Sequence, residues 1–106
     1  MRCSVEEAVA YGHRLKEVSD GLNAAAATQL GRALDRKPRD REANDVEYTY
    51  LIFSLFDVGK ALQQVVNALD GHRETGGTVD LSLPVIQQLA LYGIIPPLQP
   101  GHAPLG

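Results

Sequence analysis

Apolar residues recur at alternating spacings of three and four over residues 48–69. This is the heptad spacing of a helix that packs one side against a neighbouring helix. Asn44 or Asp45 can cap the start of such a helix, and Gly71 supplies a stop signal. The pattern predicts a helix over residues 44–70. Its buried seam consists of Tyr48, Leu51, Leu55, Val58, Leu62, Val65 and Leu69.

The segment before this helix carries a second apolar row, which is narrow and rich in alanine. Ser4 and Glu7 match the capping-box pattern, and no proline follows until Pro38. The spacing predicts a helix over residues 5–36, with a kink or break expected near Gly21 because glycine weakens a helix interior. Its buried face consists of Ala8, Leu15, Val18, Leu22, Ala26 and Ala33. A charged turn around Pro38 then folds the two helices into an antiparallel hairpin.

The remainder of the chain predicts less regular structure. Residues 71–79 are rich in glycine and indicate a flexible linker, and a short helix over residues 83–92 tolerates Pro84 in its first turn. Residues 94–106 are rich in proline and glycine and indicate an extended tail. We therefore expect an all-α fold, in which a long helical hairpin and a short C-terminal helix form a domain of residues 1–93 that precedes the tail.

Composition and charge narrow the classes of function. A chain of 106 residues with 44% hydrophobic and 22% charged residues is expected to fold as one domain. The net charge of −3 argues against binding to nucleic acid, which needs a surplus of Lys and Arg. The single cysteine, Cys3, allows no internal disulfide, and the sequence shows no signal peptide or membrane span. We expect a soluble cytoplasmic protein.

Acidic residues on the first helix raise the possibility of a metal site. Glu6, His13, Glu17 and Asp20 share one stripe of that helix, and carboxylate and imidazole groups are metal ligands. However, the stripe lies almost opposite the apolar face, where side chains normally contact water. A solvated surface is therefore the favoured interpretation of this stripe.

Two carboxylate pairs define the alternative hypothesis of an enzyme. Glu17 and Asp20 are three residues apart on the first helix, and Glu42 and Asp45 repeat this spacing at the start of the second. Two such pairs on adjoining helices could bind Mg²⁺, which prefers carboxylate oxygens and bridges substrate phosphates. Residues 13–62, in which Asp45 leads directly into an aromatic-rich helix, resemble the all-α nucleoside triphosphate pyrophosphohydrolases of the MazG and dimeric dUTPase type. The resemblance implies Mg²⁺-dependent release of pyrophosphate from a nucleotide.

Aromatic residues on the second helix favour protein–protein interaction as the leading hypothesis. Tyr50, Phe53 and Phe56 lie outside the heptad seam, so a hairpin partner alone leaves them unburied. The tail, the third helix or a second protomer could cover them, and Leu98 with its neighbouring prolines offers a further contact. We expect a non-enzymatic structural or interaction protein without a cofactor, either a homo-oligomer or a small component of a larger assembly.

Overall fold

A computed structural model gives the fold and describes residues 1–35, 41–72 and 76–96, with the backbone alone described at residue 33 and residues 41–45. Most of the described residues are helical, and the two long helices pack against each other as predicted. The elements in chain order are β1 (Arg2–Ser4), α1 (Val5–Asp35), α2 (Arg41–Asp70), β2 (Thr78–Asp80) and α3 (Leu83–Leu91).

The helix boundaries follow the sequence signals closely. At the start of α1, the Ser4 N–H donates to Oε1 of Glu7 at 3.1 Å, and the Glu7 N–H donates to Oγ of Ser4 at 3.0 Å. These two hydrogen bonds confirm the capping box. The helix α1 continues through Gly21, where a kink or break was expected, because residues before and after this glycine pack against α2. The helix α2 begins at Arg41 instead of residue 44 and ends directly before Gly71.

A two-stranded ribbon that the sequence analysis missed joins the N-terminus to the segment after α2. The strands β1 and β2 are antiparallel, with Cys3 opposite Val79, and both of these side chains are buried. Gly76 and Gly77 precede β2 with φ angles of +76° and +89°, which glycine adopts without steric strain. The expected linker over residues 71–79 therefore contains the start of a strand.

The core lies where the ribbon and α3 cover one side of the hairpin. Every member of the predicted seam of α2 is at least partly buried, with Val58 and Val65 fully buried. Leu89 of α3 packs into the same cluster. The fully enclosed part of the core consists of Cys3, Ala8, Leu15, Val58, Ala61, Val65, Val79, Leu81, Val85 and Leu89. Burial of these side chains supplies the main force that holds α3 on the hairpin.

The third helix is tied to α2 by a polar contact as well. Ser82 is the residue before α3, but its hydroxyl donates to Oε1 of Gln64 at 2.6 Å instead of capping its own helix. At the other end, Gly93 has a φ of +71° and stops the helix. Ile94 and Ile95 then return to the core. These contacts fix which side of the hairpin α3 covers.

Candidate interaction surface

The side of the hairpin away from α3 carries a groove between α1 and α2. Its volume is about 500 Å³, and its walls are mostly apolar. Ser19 of α1 forms one wall, and the other residues all belong to α2. These are Ile52, Leu55, Phe56, Gly59, Lys60 and Gln63. A groove of this kind is a common binding feature of helical proteins.

A second groove of about 310 Å³ follows along the same side of the hairpin. Lys16 lines it and is one turn from Ser19, which lines the first groove. Val66 of α2 is likewise one turn from Gln63, so the two grooves succeed each other along both helices. We call this surface the open face and define it by Val9, Lys16, Ser19 and Asp20 of α1 and Ile52, Phe56, Gly59, Gln63 and Val66 of α2.

Large apolar side chains on the open face contact water. The Phe56 side chain is 61% exposed, and Val9, Ile52 and Val66 are exposed as well. The Lys60 ammonium lies 4.7 Å from the centre of the Phe56 ring, which places a cation over the aromatic face. This contact orients the ring at the rim of the first groove without covering its apolar edge.

Lys16 and Asp20 of the open face form an ion pair on α1. The Lys16 Nζ lies 3.0 Å from Oδ2 of Asp20, one turn away on α1, and both side chains are largely exposed. An exposed pair with this spacing contributes only a few tenths of a kcal/mol to stability. Its larger effect is to place one positive and one negative group beside the groove.

The aromatic residues predicted as interface anchors divide between two directions. Phe56 lines the first groove, whereas Phe53 is 67% exposed and Tyr50 is 71% exposed outside it. Tyr50 lies near Tyr92 at the end of α3, close enough to act on its phenol electrostatically. Burial raises the pKa of Tyr92, against the opposing effect of its hydrogen bond with Ser54. Among the described residues, α3 does not cover Phe53 or Phe56.

Two of the expectations involve residues whose side chains are not described. Leu98, predicted as a contact in the tail, lies outside the described residues, as do the side chains of Glu42 and Asp45. Glu17 and Asp20 are on exposed positions of α1. The approach of Gly12 to Val65 puts Asp20 level with residue 57 of α2, twelve residues or about 18 Å from Asp45 at 1.5 Å per residue. This distance separates the two carboxylate pairs along the hairpin.

The described residues hold no group of three or more His, Cys, Asp or Glu side chains that could bind a metal ion. Within the same residues, no helix is long and apolar enough to cross a membrane. The acidic stripe of Glu6, His13, Glu17 and Asp20 lies on the exposed surface of α1, as the favoured interpretation predicted. Asp20 instead forms the ion pair with Lys16, and the Arg14 Nε lies 3.7 Å from Oε2 of Glu17.

Comparison with known proteins adds no relative. No protein-family model, curated protein or solved structure matches this chain.

A smaller polar groove of about 230 Å³ lies between α2 and α3. Asp57, Lys60 and Gln64 line it from α2, and Gln87 and Gln88 line it from α3. The Oε1 atom of Gln88 is buried there without a hydrogen-bond partner in the described part of the chain. A water molecule could satisfy this oxygen, which is the ordinary outcome for a buried amide.

Proposed function

We propose that this chain is a non-enzymatic helical interaction protein, which associates with itself or forms a small component of a larger assembly. The observation that carries the proposal is the open face, where exposed apolar side chains line two successive grooves. Exposed apolar surface is unfavourable in water, and contiguous patches of it mark interaction sites in many proteins. A partner that covers the open face would remove this surface from water.

The proposed anchors are Phe56, which lines the open face, and Tyr50 and Phe53, which are exposed outside it. Aromatic side chains often supply a large share of the binding energy at interfaces. Phe53 and Phe56 are one turn apart on α2, so one partner surface can contact both. Leu98 stays a predicted contact of the tail. A cytoplasmic location belongs to the proposal, since a single cysteine gives no sign of an oxidising compartment.

The proposal is tested by the size of the protein in cell extract. We expect a tagged chain to elute at a mass well above 11.5 kDa, and the double variant Phe53→Ala/Phe56→Ala to shift toward the monomer. The matched control is Leu83→Ala/Leu91→Ala, which removes two large exposed apolar side chains from α3. This control should elute like the wild type, and circular dichroism should show that both variants remain helical.

Two outcomes contradict the proposal. The first is a monomer in cell extract as well as in purified form, which would leave the exposed apolar residues without a binding role. The second is Mg²⁺-dependent release of pyrophosphate from nucleoside triphosphates that is lost in Glu42→Gln. That result would favour the enzyme hypothesis over an interaction protein.

A further inference from the structure

We propose that the open face binds a second copy of this chain, with the α2 helices of the two copies antiparallel and crossing at Gly59. This inference rests on the proposed function and names the partner. It predicts a twofold-symmetric dimer in which the two hairpins form a four-helix arrangement. The antiparallel hairpin packs its own helices in the same way.

The first argument is the spacing of residues along α2. Ile52 precedes Gly59 by seven residues, and Val66 follows Gly59 by seven residues. In a twofold interface, if residue i of one copy contacts residue j of the other, then residue j of the first copy also contacts residue i of the second. An antiparallel second copy crossing at Gly59 therefore places each Ile52 against the Val66 of the other copy, and each Phe56 near Leu62 and Gln63.

The second argument is the space at the crossing point. Gly59 lines the first groove, and a Cβ atom built on it would meet nothing within 4 Å. Glycine lets the backbones of two helices approach closely, which leaves the larger Ile52, Phe56 and Val66 side chains to fill the gaps on either side. The crossing point thus coincides with the one residue of the open face that has no side chain.

The third argument is charge complementarity on α1, at the level of Gly59 along the hairpin. A Cβ atom at Gly12 would lie 3.6 Å from Cγ1 of Val65, which fixes the register of the hairpin and puts Gly59 level with residues 17–18. The Lys16–Asp20 pair is centred on this level. An antiparallel second copy packs α1 on α1 and brings each Lys16 to the Asp20 of the other copy. A parallel twofold copy would pack α1 on α2 and put Lys16 near the level of Lys60. The charges therefore favour the antiparallel arrangement.

The size of the open face sets the expected strength of the dimer. From Ile52 to Val66 the face is about 21 Å long, and two packed helices are roughly 20 Å wide. The flat contact is then about 400 Å² per copy, or about 800 Å² in total, which is below the roughly 1,200 Å² of stable interfaces and is typical of weak, transient ones. We expect a reversible dimer whose population depends on protein concentration.

Sedimentation equilibrium of the purified full chain, over a wide concentration range, tests the arrangement. Gly59→Arg should weaken the dimer by about tenfold or more, because two Arg side chains would meet at the crossing point. The matched control is Gly21→Arg, which adds the same side chain to an exposed glycine of α1 with nothing within 4 Å of its Cβ. Both variants should keep or raise the melting temperature, and Gly21→Arg should dimerise like the wild type.

Charge reversal tests the orientation. Lys16→Glu and Asp20→Lys should each weaken self-association by about tenfold or more, because each places like charges across the interface. An equimolar mixture of the two variants should recover the dimer. In the mixed dimer, the new carboxylate of one variant faces the new ammonium of the other, and the unchanged Asp20 of the first faces the unchanged Lys16 of the second. Recovery in the mixture supports the antiparallel arrangement directly.

The possible failures separate the two proposals. A wild-type dimer that is unchanged by Gly59→Arg and by both charge reversals would overturn this arrangement and leave the interaction function standing. A monomer in purified form with a complex in cell extract would overturn the second copy as the partner and again leave the function standing. A monomer under both conditions would overturn both.

Discussion

Cys3 illustrates how a single buried residue connects two distant parts of the chain. It lies in β1 opposite Val79 of β2, with only 7% of its surface exposed. Burial raises the pKa of its thiol, and the nearby Glu7 carboxylate raises it further. Thiolate is the reactive form of cysteine, so both effects suppress its chemistry. The sequence analysis used this cysteine only to exclude an internal disulfide, whereas the structure gives its side chain a place in the core.

We predict that Cys3 reacts slowly with Ellman's reagent in the folded protein at about pH 8, since reaction requires an exposed thiolate. The rate should rise to that of a free thiol in a concentration of urea that unfolds the chain. The absorbance of the released thiolate dye measures both rates. A folded protein that reacts as fast as the unfolded chain would contradict the burial of Cys3.

Within the described residues, three groups have raised pKa values, which predicts sensitivity to alkaline pH. Burial is the first cause for Cys3, Tyr11 and Tyr92. A folded-state pKa above the unfolded value favours the protonated form in the folded state. Stability from these groups is therefore complete below the unfolded pKa and declines as pH rises through the folded pKa.

We expect urea unfolding to show a lower free energy of unfolding at about pH 10.5 than at about pH 8. In Cys3→Ala the decrease should be smaller than in the wild type, because only the tyrosine contribution remains. An equal decrease in both proteins would exclude the thiol as a contributor.

The third helix is held on the hairpin by two apolar side chains. Val85 and Leu89 are essentially fully buried, whereas Leu91 is 69% exposed on the same helix. The contrast provides a matched pair of leucines in one element. It isolates the contribution of burial from the contribution of helix propensity, since the same substitution can be made at both leucines.

Leu89→Ala should lower the free energy of unfolding by about 2–5 kcal/mol, because it removes a buried side chain and leaves a cavity. Leu91→Ala should change it by no more than about 0.5 kcal/mol, as expected of a surface position. Urea titration monitored by circular dichroism measures both values. Similar effects of the two substitutions would contradict the docking of α3 by burial.

Two glycines provide a second comparison between elements. Gly21 lies inside α1 with open space around it, so Gly21→Ala should stabilise the protein by up to about 1 kcal/mol. Gly93 ends α3 with a φ of +71°, so Gly93→Ala should destabilise it because alanine is strained there. Melting temperatures should therefore move in opposite directions. A shift of both in the same direction would contradict one of these backbone assignments.

The sequence predicted the helices well because their signals are local. The capping box at Ser4 and the glycines after α2 and α3 each mark a helix end within one or two turns. The seam of α2 is equally local, because its successive members are only three or four residues apart. The two strands escaped prediction because β1 and β2 have three residues each, too few to show alternation. Their formation depends on pairing between two segments that the whole hairpin separates in sequence.

The candidate surface could be predicted only in part, for a related reason. Tyr50, Phe53 and Phe56 were recognised because they lie outside the heptad seam. Gly59 and Val66 were missed, because their exposure depends on which side of the hairpin α3 covers. That choice is made by Val85 and Leu89 in the core, a tertiary contact without a local pattern.

The whole molecule is elongated. Its radius of gyration is 17.5 Å, against about 13 Å for a compact chain of this length, and its longest dimension is 57 Å. The ribbon lies beside the start of α1, whereas α3 extends along α2 from Gln64 to Ser54, in the middle of that helix. Along α2, Val58, Ala61 and Val65 are buried, whereas the side chains of residues 46–53 are exposed or half-buried.

We predict a matching gradient in amide hydrogen exchange. Amides of residues 58–65, at the level of α3, should exchange slowest, and those of residues 46–53 should exchange faster because fewer buried contacts hold that part of α2. Mass spectrometry of proteolytic peptides measures the difference. Uniform protection along α2 would show that the hairpin opens as one unit, contrary to this prediction.

The pairing of β1 with β2 also has a consequence for synthesis on the ribosome. The Leu81 N–H donates to the Met1 carbonyl oxygen at 2.8 Å, so the first residues acquire their partners only after residue 81 has left the exit tunnel. At an elongation rate of about 5–20 residues per second, the strand that contains Cys3 has no pairing partner for several seconds. During that interval, the nascent hairpin must stay soluble with its core side uncovered, which makes this the stage at which a chaperone would be most useful.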